Sequence, residues 1–297
     1  MIISATSLDA LRVGFKTEFQ SGLGMTAPQK DKIAMTIKSS TTENRYGWLA
    51  QMPGMREWIG ARVIQNIAES GYAILNRHFE HTIGVDRNDI EDDNLGQYSA
   101  LFTRMGEAIA AFPEQLVWDA LKAGFVTNCW DTQFFFDVDH PIMLADGSMG
   151  IYANTDGGAG TPWFLLCTNQ SVKPMIYQER KPATFVTKDK ETDDNVFAER
   201  RFVYGADLRC NVGYGFPQMA WGSKQPLNAA NYTIARAAIQ SMKGDGGRPL
   251  GLVPNLLVVP PTYESAARQL LNSDYGTGGI TNEWKGAAKL LVVPWLA

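Results

Sequence analysis

The stretch Gln97-Tyr98-Ser99-Ala100-Leu101-Phe102-Thr103-Arg104-Met105-Gly106-Glu107-Ala108-Ile109-Ala110-Ala111-Phe112-Pro113-Glu114-Gln115-Leu116-Val117-Trp118-Asp119-Ala120-Leu121-Lys122-Ala123-Gly124 decides the architecture. Leu101, Met105, Ile109, Phe112, Leu116 and Ala120 recur in it at three- and four-residue spacing. That spacing makes one apolar stripe over about six turns of helix, expected over Gln97–Ala123. The acidic run Glu91-Asp92-Asp93 just ahead suits the positive end of the helix dipole. Lys122 and Gly124 are stop signals. Pro113 lacks an N–H and crowds the preceding turn, so the helix is expected to kink or restart there. A single long helix in a mixed chain reads as a spine on which other elements pack.

Upstream, Arg56-Glu57-Trp58-Ile59-Gly60-Ala61-Arg62-Val63-Ile64-Gln65-Asn66-Ile67 is β-branched and aromatic enough for a strand. Glu69-Ser70-Gly71 is a turn signal, and Tyr72–Val85 is a second run, so the two read as a hairpin. Arg62, Arg77, His78, Glu80 and His81 interrupt its apolar positions, which makes it too polar for a core. An isolated ribbon is marginal in water, so this one is expected to rest on a neighbour. Arg56, Trp58, Arg62, Arg77, His78, Glu80 and His81 are therefore the candidate inter-subunit contacts. Residues 1–38 show little pattern. A short helix over Leu8–Phe19 is expected, and the rest reads as an extended arm ordered by lying on something else.

Downstream, residues 125–228 are β-rich. Phe134-Phe135-Phe136 is a buried-strand candidate, and Trp163–Cys167, Met175–Tyr177, Thr184–Thr187 and Phe202–Tyr204 are further strands. Residues 229–297 read as helix, strand, helix, strand. These are Ala230–Met242, Leu256–Val259, Tyr263–Leu271 with Thr262 as N-cap, and Lys289–Val293.

A chain of 297 residues has a soft prior of two domains at about 150 residues each. With 45% hydrophobic and 20% charged residues, wholesale disorder is excluded. The longest apolar run, Leu290–Ala297, falls far short of the roughly 20 residues a membrane span needs. Met1-Ile2-Ile3-Ser4 does not open a signal peptide. Cys129, Cys167 and Cys210 have no zinc or redox spacing and read as reduced thiols of a cytosolic compartment. The net charge of −4 argues against strong non-specific nucleic-acid binding. It is unevenly spread: +3 over residues 1–62, −9 over 63–140 and +2 over 141–297. A basic leading segment and an acidic one could be complementary surfaces on neighbouring copies, or the acidic segment could be a solvated face.

Candidate chemistry is sparse. His78 and His81 flank Glu80, but on a strand they point to opposite faces, so one ion would not take both. Asp137, Asp139 and His140 at the end of an apolar run are the better metal-hydrolase candidates, although the same residues suit a turn. Gly244-Asp245-Gly246-Gly247-Arg248-Pro249 follows a helix and lacks the Lys-Ser/Thr ending of a phosphate loop. Gly147-Ser148-Met149-Gly150 has the wrong spacing for a nucleophile elbow. No enzyme activity, cofactor or bound metal is expected.

Five stretches carry a resemblance. They are Arg56–Arg62; Phe79–Val85 with Asp89–Asp93; Phe134–Asp137 through Asp139-His140-Pro141; Tyr204–Asp207 through Asn211–Gly215; and Leu256–Pro261. In this order they resemble the Mu-type major head subunit family of tailed bacteriophages, whose major capsid proteins have the α+β Hong Kong 97-type fold. The resemblance implies an N-terminal arm at 1–45 and an extended loop at 46–96. It implies a peripheral domain at 97–228, with spine helix 97–123 and a β-layer, and an axial domain at 229–297. Part of 125–160 is open to either domain. The implied function is a virion capsid protein, assembled in the bacterial host cytoplasm into pentamers and hexamers of an icosahedral shell. The implied partners are copies of itself, a separate scaffolding protein, a portal, a decoration protein and enclosed double-stranded DNA held without sequence-specific contacts, with no membrane. The alternatives are a metal-dependent hydrolase using Asp137, Asp139 and His140, or another virion structural protein such as a tail component.

Overall fold

The computed structural model describes residues 3–25, 27–50, 71–92, 95–276 and 279–297. The first strand expected for the hairpin, with Arg56, Trp58 and Arg62, lies outside the described residues, as does Asp93. The chain runs α1 (Ala5–Met25), β1 (Ala34–Lys38), β2 (Glu43–Arg45), β3 (Ala73–Leu75), β4 (Arg77–Asp86), α2 (Arg87–Glu91) and α3 (Gly96–Ala123). It continues through β5 (His140–Met143), β6 (Met149–Tyr152), β7 (Thr155–Gly158), β8 (Trp163–Leu166), β9 (Met175–Lys188), α4 (Asp194–Glu199) and β10 (Arg201–Tyr214). It ends with β11 (Ala220–Lys224), α5 (Ala229–Ser241), β12 (Leu256–Val259), α6 (Glu264–Asn272) and β13 (Lys289–Val292).

The spine helix α3 is one element of 28 residues that continues through Pro113, so the expected restart does not occur. Its buried residues differ from the single stripe expected. Phe102, Met105 and Ile109 are buried before the proline and Val117, Trp118 and Leu121 after it, while Leu101 is exposed. The reason is that α3 has neighbours on more than one side. Its first half meets α1 and the four-stranded sheet β1-β9-β10-β4, and its end meets a five-stranded sheet, β13-β12-β8-β11-β7.

Residues 5–25 form a helix of 21 residues rather than a short helix in an extended arm. Leu8, Phe15 and Phe19 are buried against α3 and the first sheet. Phe15 stacks on Phe102 with ring centroids 4.3 Å apart and meets Tyr204 edge-on at 5.2 Å. The helices touch backbone to backbone: a Cβ on Gly22 would stand 2.0 Å from the Thr103 carbonyl oxygen, and one on Gly106 2.2 Å from that of Phe19. The pattern was hard to read because this face is made partly of glycine. Residues 34–38 leave the arm too, pairing in parallel with β9 at the edge of the first sheet.

The polar run after Tyr72 is divided between two partners. β3 pairs with β2, and β4 lies antiparallel on β10 from Arg77↔Cys210 to Asp86↔Arg201. Met175–Tyr177 and Thr184–Thr187 are one strand, β9, which carries Pro182. The β9–β10 register shifts between Asp207 and Arg209, opposite this region, as a proline without a ladder N–H requires.

β8 was expected in the same layer as Phe202–Tyr204. Instead it pairs antiparallel with β12 and β11, strands far from it in sequence. Both faces of β8 and β12 are buried. Phe164, Leu166 and Val258 face the end of α3, whereas Trp163, Leu165, Leu257 and Val259 face α5 and α6. Phe134-Phe135-Phe136 is irregular chain with one isolated bridge, Asn128↔Phe134, although Phe135 and Phe136 are buried. The last 69 or so residues follow the expected order; α6 starts after a short turn at Pro261–Tyr263, and Thr262 does not cap it.

Gly106→Ala is expected to push α1 off α3 and destabilise the subunit by about 1–3 kcal/mol. Gly14→Ala, with nothing within 4 Å of its new Cβ, is expected to be neutral or stabilising. Urea unfolding of the unassembled subunit compares the two; equal effects would contradict the close crossing.

Candidate assembly surfaces

Three features of the described chain are built to hold a projecting segment. The first is a clasp on the arm. Glu114 of α3, 4% exposed, accepts hydrogen bonds from the Gln29 and Lys30 backbone N–H groups (2.8 and 2.8–2.9 Å) and from Trp118 Nε1 (3.1 Å). A buried carboxylate needs such donors, and these fix the chain as it leaves α1 and enters β1.

The second is a stem. β2 and β3 pair antiparallel at Glu43↔Leu75, Asn44↔Ile74 and Arg45↔Ala73, so the segment between them starts and ends at one place. A buried network ties this stem to β9. Tyr46 donates its hydroxyl to Gln178 Oε1 at 2.6 Å, and Gln178 Nε2 donates to the Ile74 carbonyl at 2.9 Å and to Asn76 Oδ1 at 2.8 Å. Asn76 Nδ2 donates onward to Ser39 Oγ and the Thr41 carbonyl, both at 2.9 Å. Burial pushes the Tyr46 phenol up to about 12, so it stays a donor.

The third is the strand β4, an edge of its sheet among the described residues. Arg77, His78, Glu80 and His81 are all exposed on it, but they do not gather into one cluster. Arg77 and His81 share a face with Phe79, the Arg77 guanidinium lying 5.2 Å from that ring's centre. His78 and Glu80 share the opposite face, across from Arg209 and Asp207. Asp207 is paired there with Lys181 at 2.7 Å.

Large apolar side chains also stand in solvent. Phe197 on α4 is 89% exposed. Met143, Met149 and Ile151 on the β5–β6 hairpin are exposed, as are Tyr275 and Ile280 in the segment between α6 and β13. Exposed apolar side chains of this size make these elements candidates for contact surfaces. Sequence reasoning missed these positions, as it missed Glu114 and Gln178. Phe197 sits in a polar run, and a lone Gln or Glu in a regular element has no pattern of its own.

Asp137, Asp139 and His140 do not converge. Asp137 accepts from the Phe134 and Val138 N–H groups of its own loop (3.2 and 2.7 Å), and Asp139 is exposed. His140 is fully buried and pairs with Asp131 instead, Nδ1 to Oδ2 at 2.6 Å, while Cys129 donates its thiol to Asp131 Oδ1 at 3.0 Å. The predicted hydrolase geometry is therefore absent at these residues. Burial pushes the Cys129 thiol well above its ordinary range, and its hydrogen bond to Asp131 adds to this. Burial also raises Asp131, but the hydrogen bonds from His140 and Cys129 outweigh it and hold the carboxyl below its usual range.

An arm helix on a long spine, a stemmed loop and two sheets sharing that spine define a shell-forming subunit of the Hong Kong 97-type α+β fold. The subunit of the bacteriophage JBD30 procapsid matches with a TM-score of 0.85 at 42% identity, covering 99% of this chain and 100% of that one. The JBD30 capsid subunit matches with a TM-score of 0.79 at 34% identity over the full length of both.

The chain belongs to the Mu-like prophage major head subunit gpT family, whose model matches residues 8–296. It is 41% identical over 305 residues to the major capsid protein of Escherichia phage Mu, covering 100% of both chains. It is also 41% identical over 294 residues to the FluMu prophage major head subunit of Haemophilus influenzae, covering 96% of each. It is a structural capsid protein of the virion and not an enzyme, and no described helix is long and apolar enough to cross a membrane.

Gln178→Leu is expected to leave the Tyr46 hydroxyl and Asn76 Oδ1 without their buried partners, at a cost of about 2–4 kcal/mol. Hydrogen exchange should show β2 and β3 opening faster than β9. Unchanged exchange at Asn44 and Ile74 would show that the network does not hold the stem.

Proposed function

We propose that copies of this chain associate into pentamers and hexamers that tile the icosahedral head of a Mu-like phage and enclose its double-stranded DNA. The observation that carries the reading is similarity along the whole chain to a subunit of a phage procapsid. The described structure supports it physically. A shell needs heterologous contacts that close into rings and also tile a surface, and these require projecting parts as well as a rigid body. Stem and edge strand supply the roots of such parts, and the clasp secures the leading segment to the rigid body.

In this reading the four-stranded sheet with α1 and α3 is the peripheral body, and the five-stranded sheet with α5 and α6 the axial one. The division thus follows the sheets rather than a single boundary at residue 228, with β7, β8 and β11 on the axial side. The segment between β2 and β3 is the extended loop. Arg77, His78, Glu80 and His81 on β4, with Arg56, Trp58 and Arg62 outside the described residues, are the proposed contacts with neighbouring copies. Assembly takes place in the host cytoplasm with a separate scaffolding protein, and a portal completes the head. One JBD30 capsid is decorated with minor capsid protein trimers, and a decoration partner of that kind is proposed here. The net charge of −4 suits a wall that confines DNA without gripping it.

Negative-stain microscopy of the expressed chain is expected to show capsomer rings, sheets or shells. Tubes or discrete oligomers without ring symmetry would overturn the reading. Replacing residues 51–70 with a short Gly-Ser linker should leave a folded subunit, because the stem holds both ends, and should abolish shells; wild-type shells would remove that segment from the contacts. If the basic leading segment meets the acidic one on a neighbour, capsomer association weakens as salt rises from about 50 to 500 mM. Sedimentation that is unchanged across this range would reject the pairing.

A further inference from the structure

Cys129, Asp131 and His140 are, among the described residues, the one group of three or more His, Cys, Asp or Glu side chains whose ligand atoms converge, all within 4.8 Å of one another. Cys129 and Asp131 lie in the irregular chain after α3, and His140 opens β5. The site is dry: the His140 and Asp131 side chains are 0% and 2% exposed, and Cys129 is 5% exposed. One nitrogen of the imidazole is engaged by Asp131, and the other, Nε2, is buried with no hydrogen-bond partner among the described residues. The Tyr152 ring, stacked on His140 at 4.9 Å, also ends in a buried hydroxyl without a partner. Buried polar atoms are nearly always satisfied, so the Tyr152 hydroxyl, left without a partner on the ring stacked over His140, is available to complete a site on these donors.

We propose that Cys129, Asp131 and His140 form a structural zinc site that fastens the end of the spine helix to the β5–β6 hairpin. The donor set is one sulfur, one oxygen and one nitrogen, with the Tyr152 hydroxyl left for the fourth tetrahedral position, a mixture that suits borderline zinc better than calcium or magnesium. Charge supports it as well. A thiolate and a carboxylate neutralise a divalent cation, and a neutral cluster is what a dry site accommodates. Zinc bonds of about 2.0–2.3 Å hold tetrahedral ligand atoms roughly 3.3–3.8 Å apart, so the pairs now at 2.6 and 3.0 Å have to open and the widest separation, within 4.8 Å, to close, each by about 1 Å. On binding, the Cys129 S–H bond breaks and an S–Zn bond forms; the proton leaves to solvent, Asp131 enters as the carboxylate and His140 as the neutral ring. The resulting clamp would hold the hairpin that carries exposed Met143, Met149 and Ile151. The inference uses only this chain's own donors, so it stands or falls separately from the assembly reading.

The test uses the full chain, reduced and freed of metal with a chelator. Titration with cobalt(II) should develop a thiolate-to-cobalt band in the near ultraviolet and tetrahedral bands in the visible. Both should saturate near one ion per chain and be displaced by zinc. Cys129→Ser should lose the thiolate band, whereas Cys167→Ser and Cys210→Ser should keep it. Zinc should raise the Tm of the wild-type chain by several degrees and that of Cys129→Ser by about none. Absence of both bands from the wild-type chain at about tenfold excess cobalt would overturn the site, and so would a thiolate band that survives Cys129→Ser. The wild-type titration decides the matter even if a variant fails to fold.

Discussion

Two helices approach to backbone contact only where neither carries a side chain at the crossing. Gly22 and Gly106 meet that condition for α1 and α3, and much of the peripheral body depends on it. The close crossing brings Phe15 onto Phe102 and Tyr204, and Phe19 onto Phe185. Those rings glue helix pair to sheet. With α1 fixed, the chain leaves it at a set position, so Glu114 can collect the N–H groups of residues 29 and 30 and deliver β1 to the edge of β9. The leading segment is thus part of the subunit's own body up to Lys38.

The spine helix then joins two layers. Its first half serves the sheet that carries β9 and β10, and its end, with Trp118 and Leu121, serves one face of the sheet built on β8 and β12. The other face of that second sheet is covered by α5 and α6. A sheet buried on both sides has to be apolar throughout, which is why Trp163–Leu166 and Leu256–Val259 read as unbroken hydrophobic runs.

Much of this was legible in the residues. The spine helix, the strands at 163, 202, 256 and 289 and both late helices follow from periodicity and turn chemistry. Pairing did not follow. Nothing local in Trp163–Leu166 says that its partner lies at Leu256, because strand pairing is settled by the whole core. The arm helix was under-read because glycine looks like a breaker unless its partner glycine is known. The assembly surfaces were legible only in outline. A polar strand betrays an exposed edge, but Gln178 and Glu114 act through burial, which composition does not reveal. The cluster at Cys129 was missed for a related reason: Asp137 and Asp139 are nearer His140 in sequence, yet the loop folds Asp131 back onto it.

The stem has a mechanical consequence. In an antiparallel pair the hydrogen bonds lie across the strands, so tension on the intervening segment peels them one at a time instead of shearing them together. Peeling begins at the bond from the Tyr46 N–H to the Tyr72 carbonyl and runs through Asn44 and Ile74 to Asn76. The Gln178 knot on the long strand β9 grips this same stretch at Tyr46, Ile74 and Asn76, so the load passes to β9 from the first bond onward. Force from a neighbour thus reaches the four-stranded sheet through buried side chains, and the few ladder bonds of the stem do not carry it alone.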